Sequence, residues 1–127
     1  FGKGWESGEI PMEKVVELIS RSKITLGIGT DTILYNIVAL KGRDFEVPMC
    51  GGFYLTQYNP ELEEFYDIGK EIVCYNSPED MLGKIRYYLS HPEDAEEIRK
   101  AALKKSLAEH TWKKRFNKAF NIMGINI

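Results

Sequence analysis

GRDFEVPMCGGFYLT, residues 42–56, places a short helix, its stop signal and a strand in one continuous run. Pro48 lacks an N–H and is tolerated only near a helix start. Gly51 and Gly52 can adopt the left-handed conformation that ends a helix. FYLT is apolar and rich in strand formers. A helix over about 44–50 that hands directly to a strand is half of an α/β repeat, and its neighbours decide whether the repeat continues.

On the N-terminal side, KITLGI at 23–28 has the length and composition of a buried strand, and Gly29-Thr30-Asp31 breaks it. About a dozen residues of loop or partly helical chain should follow before the short helix. Upstream, Pro11 opens a helix in which Met12, Val15, Val16, Leu18 and Ile19 keep near-helical spacing as far as Arg21. Residues 1–10 are Gly-rich and aromatic, which suits a strand tail and a loop.

On the C-terminal side, NPELEEF at 59–65 predicts a turn and a helical piece, and EIVCY at 71–75 a further strand. Three helices close the chain. Ser77, Pro78 and Asp80 form a capping-box-like start ahead of a stripe of Met81, Leu82, Ile85, Tyr88 and Leu89. Pro92 opens the second helix, with acids early and Lys100, Lys104 and Lys105 late. Thr111 caps the third, where Trp112, Phe116, Ala119, Phe120 and Met123 share one face. The alternation implies an α/β fold with a Rossmann-like parallel sheet and flanking helices. Three strands make a thin sheet for so many helices, and the chain begins at Phe1 instead of Met. Both observations suggest a domain cut at its N-terminus from a longer protein.

With 127 residues and 43% hydrophobic composition the chain can bury a core as one domain. A net charge of -2 offers no field for nucleic acid or an anionic membrane, so neither partner is expected. No segment approaches the ~20 apolar residues of a membrane span, nor does a signal peptide open the chain, and the cytoplasm is the expected location. Cys50 and Cys74 lack metal or redox spacing and are expected as buried free thiols. No His/Cys/Asp/Glu cluster has metal-ligand spacing, so neither metal nor cofactor is expected. Acids crowd 61–80 and bases 96–118, a pattern of solvated helix faces or of a docking surface.

In a doubly wound domain ligands lie beyond the carboxyl ends of the strands. GIGTDT at 27–32 and LKGRDFE at 40–46 occupy such places. Glu46 stands out because an ionised carboxylate can accept both hydroxyls of a ribose. Arg43, three residues earlier, suits a diphosphate, and Gly51 and Gly52 would let backbone approach a ligand closely. The competing reading is a surface Arg43–Glu46 ion pair above a glycine-capped helix.

RDFEVPMCGGFYLT at 43–56, FYDIGKEIVCY at 65–75, SPED at 77–80, YYLSHPE at 87–93 and EHTWKKR at 109–115 follow one another in an order that spans about 4–120. The set resembles the C-terminal domain of group 1 glycosyltransferases of the GT-B type, in particular the spore maturation protein-like branch. The resemblance implies the donor-binding half of a two-domain enzyme that moves a sugar from a nucleotide diphosphate sugar to an acceptor hydroxyl, with retention and without a metal. The rest of such an enzyme, an N-terminal domain with the acceptor contacts, would lie outside this chain. Glu46 then corresponds to the carboxylate that holds the donor ribose and Arg43 to a basic residue near the diphosphate, with Gly29, Thr30 and Tyr54 near base or phosphates. Many group 1 enzymes carry a second Glu eight positions before the ribose Glu; here that position is Val38.

His91 and His110 precede helix starts and are expected to be structural. The aromatic stripe of the last helix is expected to pack, partly against a partner domain. Trp5 and Tyr87-Tyr88 suit the core or its rim. The alternative function is a non-catalytic interaction or regulatory module derived from such a domain.

Overall fold

Gly51 settles how the central helix meets its strand. In the computed structural model, which describes residues 10–31 and 37–125, its φ is 71° and its N–H donates to the Pro48 carbonyl. Gly52 N–H follows, donating to the Val47 carbonyl at 3.0 Å. These bonds close a helix α2, Arg43–Met49, and release the chain into strand β4, Tyr54–Gln57. Pro48 lies late in α2, not near its start; its missing N–H forfeits one backbone bond and the helix ends a residue later. Gly52 is in ordinary backbone territory, and its lack of a side chain serves packing. A Cβ there would lie 2.6 Å from Ile19 Cγ2 and 2.9 Å from Val47 Cγ1.

Among the described residues, β1 (Thr25–Gly27), β4 and β5 (Val73–Tyr75) form a parallel sheet in the order β1-β4-β5. Alternate side chains reach opposite faces, and both faces are covered. Tyr54, Ile72 and Cys74 pack with Val47, Leu62 and Tyr66 on one side. Phe53, Leu55, Val73 and Tyr75 pack with Ala95 and Ile98 on the other. The expected α/β architecture with a Rossmann-like parallel sheet and flanking helices is the one observed.

Helix α1, Met12–Arg21, precedes the sheet, and α3 (Pro78–Ser90), α4 (Pro92–Lys105) and α5 (Trp112–Ile122) follow it. A 3-10 turn at Pro60–Glu64 realises the expected NPELEEF piece, with Asn59 accepting from the Glu61 N–H. Ser77 caps α3 by accepting from the Asp80 N–H at 3.1 Å, and Thr111 caps α5 by accepting from Lys114 N–H. Arg99 on α4 donates from Nε to the Gly51 carbonyl at 2.8 Å and from Nη2 to the Ser20 carbonyl. One guanidinium therefore ties the ends of α1 and α2 to α4.

Several expectations are corrected. The stretch after Gly29 is not simply loop or helix, since Thr30–Asp31 (β2) pairs antiparallel with Ile37–Val38 (β3), away from the main sheet. The stripe on α3 narrows to Met81, Ile85 and Tyr88, because Leu82 and Leu89 face solvent. A π-helical turn, Ser106–His110, prolongs α4 before Thr111 turns extended. The stripe on α5, expected to be covered only in part, is largely uncovered, with Trp112 at 61% and Phe116 at 52% exposure. The strand tail expected in residues 1–10 falls almost wholly outside the described residues.

Gly52→Ala should destabilise the domain by about 1–3 kcal/mol through overpacking against Ile19 and Val47. Urea denaturation is the check, and a midpoint unchanged from wild type would refute the close packing of α1 on this link.

Candidate functional site

The first turn of α2 is fixed from beneath. Asp44 is buried, at 4% exposure, and each carboxylate oxygen has a donor: Oδ2 accepts from the Lys41 N–H and Oδ1 from the Tyr54 hydroxyl, both at 2.6 Å. Tyr54 is itself buried at the start of β4, with its ring against Gly27, where a Cβ would lie 2.2 Å from the hydroxyl. Burial, and then the bond to Asp44, raises the Tyr54 pKa, so the phenol remains a donor. Sequence reasoning passed over Asp44. Its signal was an acid in a helix's first turn, three residues after Lys41, a spacing that lets a side chain reach back to a free backbone N–H.

Arg43 reaches across to the end of β1, where Nη2 donates to the Ile28 carbonyl at 2.5 Å. Tyr75 adds a bond from β5, its hydroxyl donating to the Gly27 carbonyl at 2.8 Å. The surface Arg43–Glu46 pair is not formed. Glu46 is exposed and, among the described residues, its carboxylate has no hydrogen-bond or ion-pair partner. It folds back along α2, so that a Cβ on Gly42 would lie 3.5 Å from Glu46 Oε1.

Arg43 and Glu46 thus share one end of α2, and Gly29 follows the Ile28 carbonyl that Arg43 holds. Gly29 is buried against Val38, whose Cγ1 would be 3.0 Å from an added Cβ, and Thr30 pairs through its backbone with Val38. Gly51 and Gly52 lie at the other end of α2, where they shape the link to β4. Tyr54 braces the site from inside the core and is not at the surface.

Between α2 and α5 opens a pocket of about 250 Å³. Lys41, Gly42, Phe45, Glu46 and Met49 line it from one side, and His110, Trp112 and Arg115 from the other. The α2 positions 42, 45, 46 and 49 follow helical spacing, so one face of the helix forms the wall. The Arg115 guanidinium lies over the Phe45 ring at 4.1 Å. His110 is buried, with Nε2 3.1 Å from the Phe65 carbonyl oxygen and its ring edge-on to Phe45, Phe65 and Tyr66. His91 has the structural role expected of it, stacking on Tyr87 at 4.2 Å. Sequence reasoning left Trp112 and Arg115 out of the site, although both stand in the quoted EHTWKKR run.

The cysteines are free thiols, Cys74 buried and Cys50 partly so. Burial pushes Cys74 up to about 12, while burial and then the Glu46 carboxylate raise Cys50. Both are poor nucleophiles at neutral pH. Among the described residues no group of three or more His, Cys, Asp or Glu could hold a metal ion, and no helix is long and apolar enough to cross a membrane.

Burial lowers the His110 pKa below 6.5, against a smaller upward pull from the Phe65 carbonyl. The folded state therefore prefers the neutral ring. The unfolded state takes up the proton first as pH falls, so stability is full above 6.5 and declines as pH drops toward the folded pKa. Thermal melts between neutral and mildly acidic pH should show this loss, and His110→Gln should flatten it. An equal pH slope in both proteins would refute the assignment.

Comparison with known proteins supplies a family for this fold and site. No curated protein and no solved structure gives a match. A family model described as glycosyl transferase-like matches residues 1–121, which takes in every residue of the α2 site and its pocket. The chain belongs to the glycosyl transferase-like family.

Proposed function

We propose that this domain binds the nucleotide diphosphate of a sugar donor at the Arg43–Glu46 end of α2. It would serve as the C-terminal, donor-binding half of a GT-B enzyme of the group 1, spore maturation protein-like branch. The observation that carries the reading is the Glu46 carboxylate: ionisable, solvent-accessible, without a partner among the described residues, and set on a pocket wall within the family match. A carboxylate so placed can accept both hydroxyls of a ribose. Arg43, anchored through one nitrogen to Ile28, keeps further N–H donors for a phosphate.

The reaction is transfer of a glycosyl group. The bond between the anomeric carbon and the diphosphate oxygen breaks with its electron pair leaving on the diphosphate, the acceptor oxygen bonds to that carbon, and the acceptor's proton passes to the departing diphosphate oxygen. Retention and the absence of a metal follow the group 1 resemblance. The leaving diphosphate would be stabilised by cationic side chains such as Arg43 and Lys41. Acceptor contacts would come from an N-terminal domain, and the transfer would take place in the cytoplasm. Val38, apolar and packed on Gly29, stands where many group 1 enzymes have a sugar-binding Glu. The sugar would therefore be held differently here, and the same feature favours a second reading, a non-catalytic module that has kept the fold.

NMR titration with UDP and GDP should shift amides around 41–46. Glu46→Ala should weaken binding about tenfold or more, since hydrogen bonds to a charged group are worth ~1.5–3 kcal/mol each. Shifts at 41–46 that survive the substitution unchanged would remove Glu46 from the donor site. No shifts at all would favour the non-catalytic module.

A further inference from the structure

Trp112 and Arg115 are held in a manner that core packing does not require. One face of the indole lies against Phe116, with ring centroids 5.6 Å apart and planes inclined by 27°. The side chain remains 61% exposed and borders the pocket that Glu46 also borders. Arg115, three residues on and thus on the same face of α5, places its guanidinium carbon 4.1 Å from the centroid of the Phe45 ring. Among the described residues its guanidinium makes no hydrogen bond or ion pair. A guanidinium held over a ring keeps N–H groups available for a ligand. The pocket thus offers an exposed indole and a guanidinium with free donors on one side, and on the other a carboxylate that has no partner among the described residues.

We propose that this pocket is the nucleoside subsite of the donor, with Trp112 the wall on which the base stacks and Arg115 the donor to the ring oxygens of a keto base such as uracil or guanine. The assignment rests on the reading of Glu46 as the ribose ligand. With the ribose on Glu46, the base lies toward α5 and the phosphates toward Lys41 and Arg43 at the start of α2. Trp112 and Arg115 meet the same end of the ligand because they share a helix face. An adenine presents an amino donor where these bases carry a carbonyl oxygen, so its edge offers Arg115 one acceptor fewer.

Isothermal titration of the full chain with UDP, GDP, ADP and inorganic pyrophosphate tests this. One or both keto-base nucleotides should bind more tightly than ADP. Trp112→Ala should weaken their binding about tenfold or more and leave pyrophosphate unaffected, and Trp112→Phe should recover most of the loss. Arg115→Gln should erase the preference over ADP. Trp112 is exposed, so its variants should fold; circular dichroism checks Arg115→Gln, whose side chain also covers Phe45.

If Trp112→Ala binds within about twofold of wild type and Arg115→Gln keeps the base preference, while Glu46→Ala still weakens binding about tenfold or more, the subsite is refuted and the Glu46 reading stands. Loss of pyrophosphate affinity in Arg115→Gln with base preference intact would make Arg115 a phosphate ligand and overturn the assignment. Failure of every nucleotide to bind the wild-type chain would bring down both readings.

Discussion

A carboxylate buried under the first turn of α2 is the constraint around which the rest is arranged. A carboxyl group inside the domain would cost several kcal/mol if its oxygens were left without partners. The structure meets that demand with the Lys41 N–H and the Tyr54 hydroxyl. Each partner carries a structural consequence. Lys41 N–H draws the incoming chain into the helix start, and the Tyr54 hydroxyl joins α2 to the central strand. Gly27 must then be glycine, because the tyrosine occupies the space of its side chain. The position of Glu46, one turn along α2, follows from this anchoring at Asp44.

The ends of the parallel strands are held by side chains that cross between elements. Tyr75 on β5 reaches past β4 to the Gly27 carbonyl, and Arg43 on α2 holds the next carbonyl, that of Ile28. At the opposite end of α2, Arg99 closes the frame through the Gly51 and Ser20 carbonyls. Under the proposed function the site has to present several groups at fixed separations to a flexible ligand, and preorganisation of this kind lowers the ordering cost of binding. Here the scaffold is fixed at both ends of α2, while the Glu46 carboxylate has no hydrogen-bond or ion-pair partner among the described residues.

Much of this was legible in the sequence because the signals were local. Pro11, Ser77, Pro92 and Thr111 mark helix starts by backbone chemistry alone, and the apolar runs ending in Thr56 and Tyr75 mark strands by composition. Glu46 could be singled out because a carboxylate near a strand-to-helix junction has a restricted set of uses. What could not be read depended on distance in space. The Asp44–Tyr54 bond joins residues whose sequence pattern says nothing of their contact. The β2–β3 pair uses two-residue strands, too short for any periodicity. Trp112 looked like part of a packing stripe because helical spacing reports a shared face and not what that face meets. Gly52 reads as a left-handed helix cap and a point of close approach to a ligand, but a glycine chosen to pack against its own core leaves the same trace in sequence as one chosen for φ.

The π-helical turn at Ser106–His110 sets chain length as a constraint in its own right. Ser106 and His110 point inward and are buried, while Leu107, Ala108 and Glu109 between them are exposed. The three outward residues can change identity with little effect on the interior. Deletion of any one of them is another matter. It would convert the wide turn to ordinary helical spacing, rotate everything downstream by about a hundred degrees, and carry Arg115 off the Phe45 ring. Along this segment natural variation should therefore accumulate as exchange of side chains, with gaps and insertions excluded.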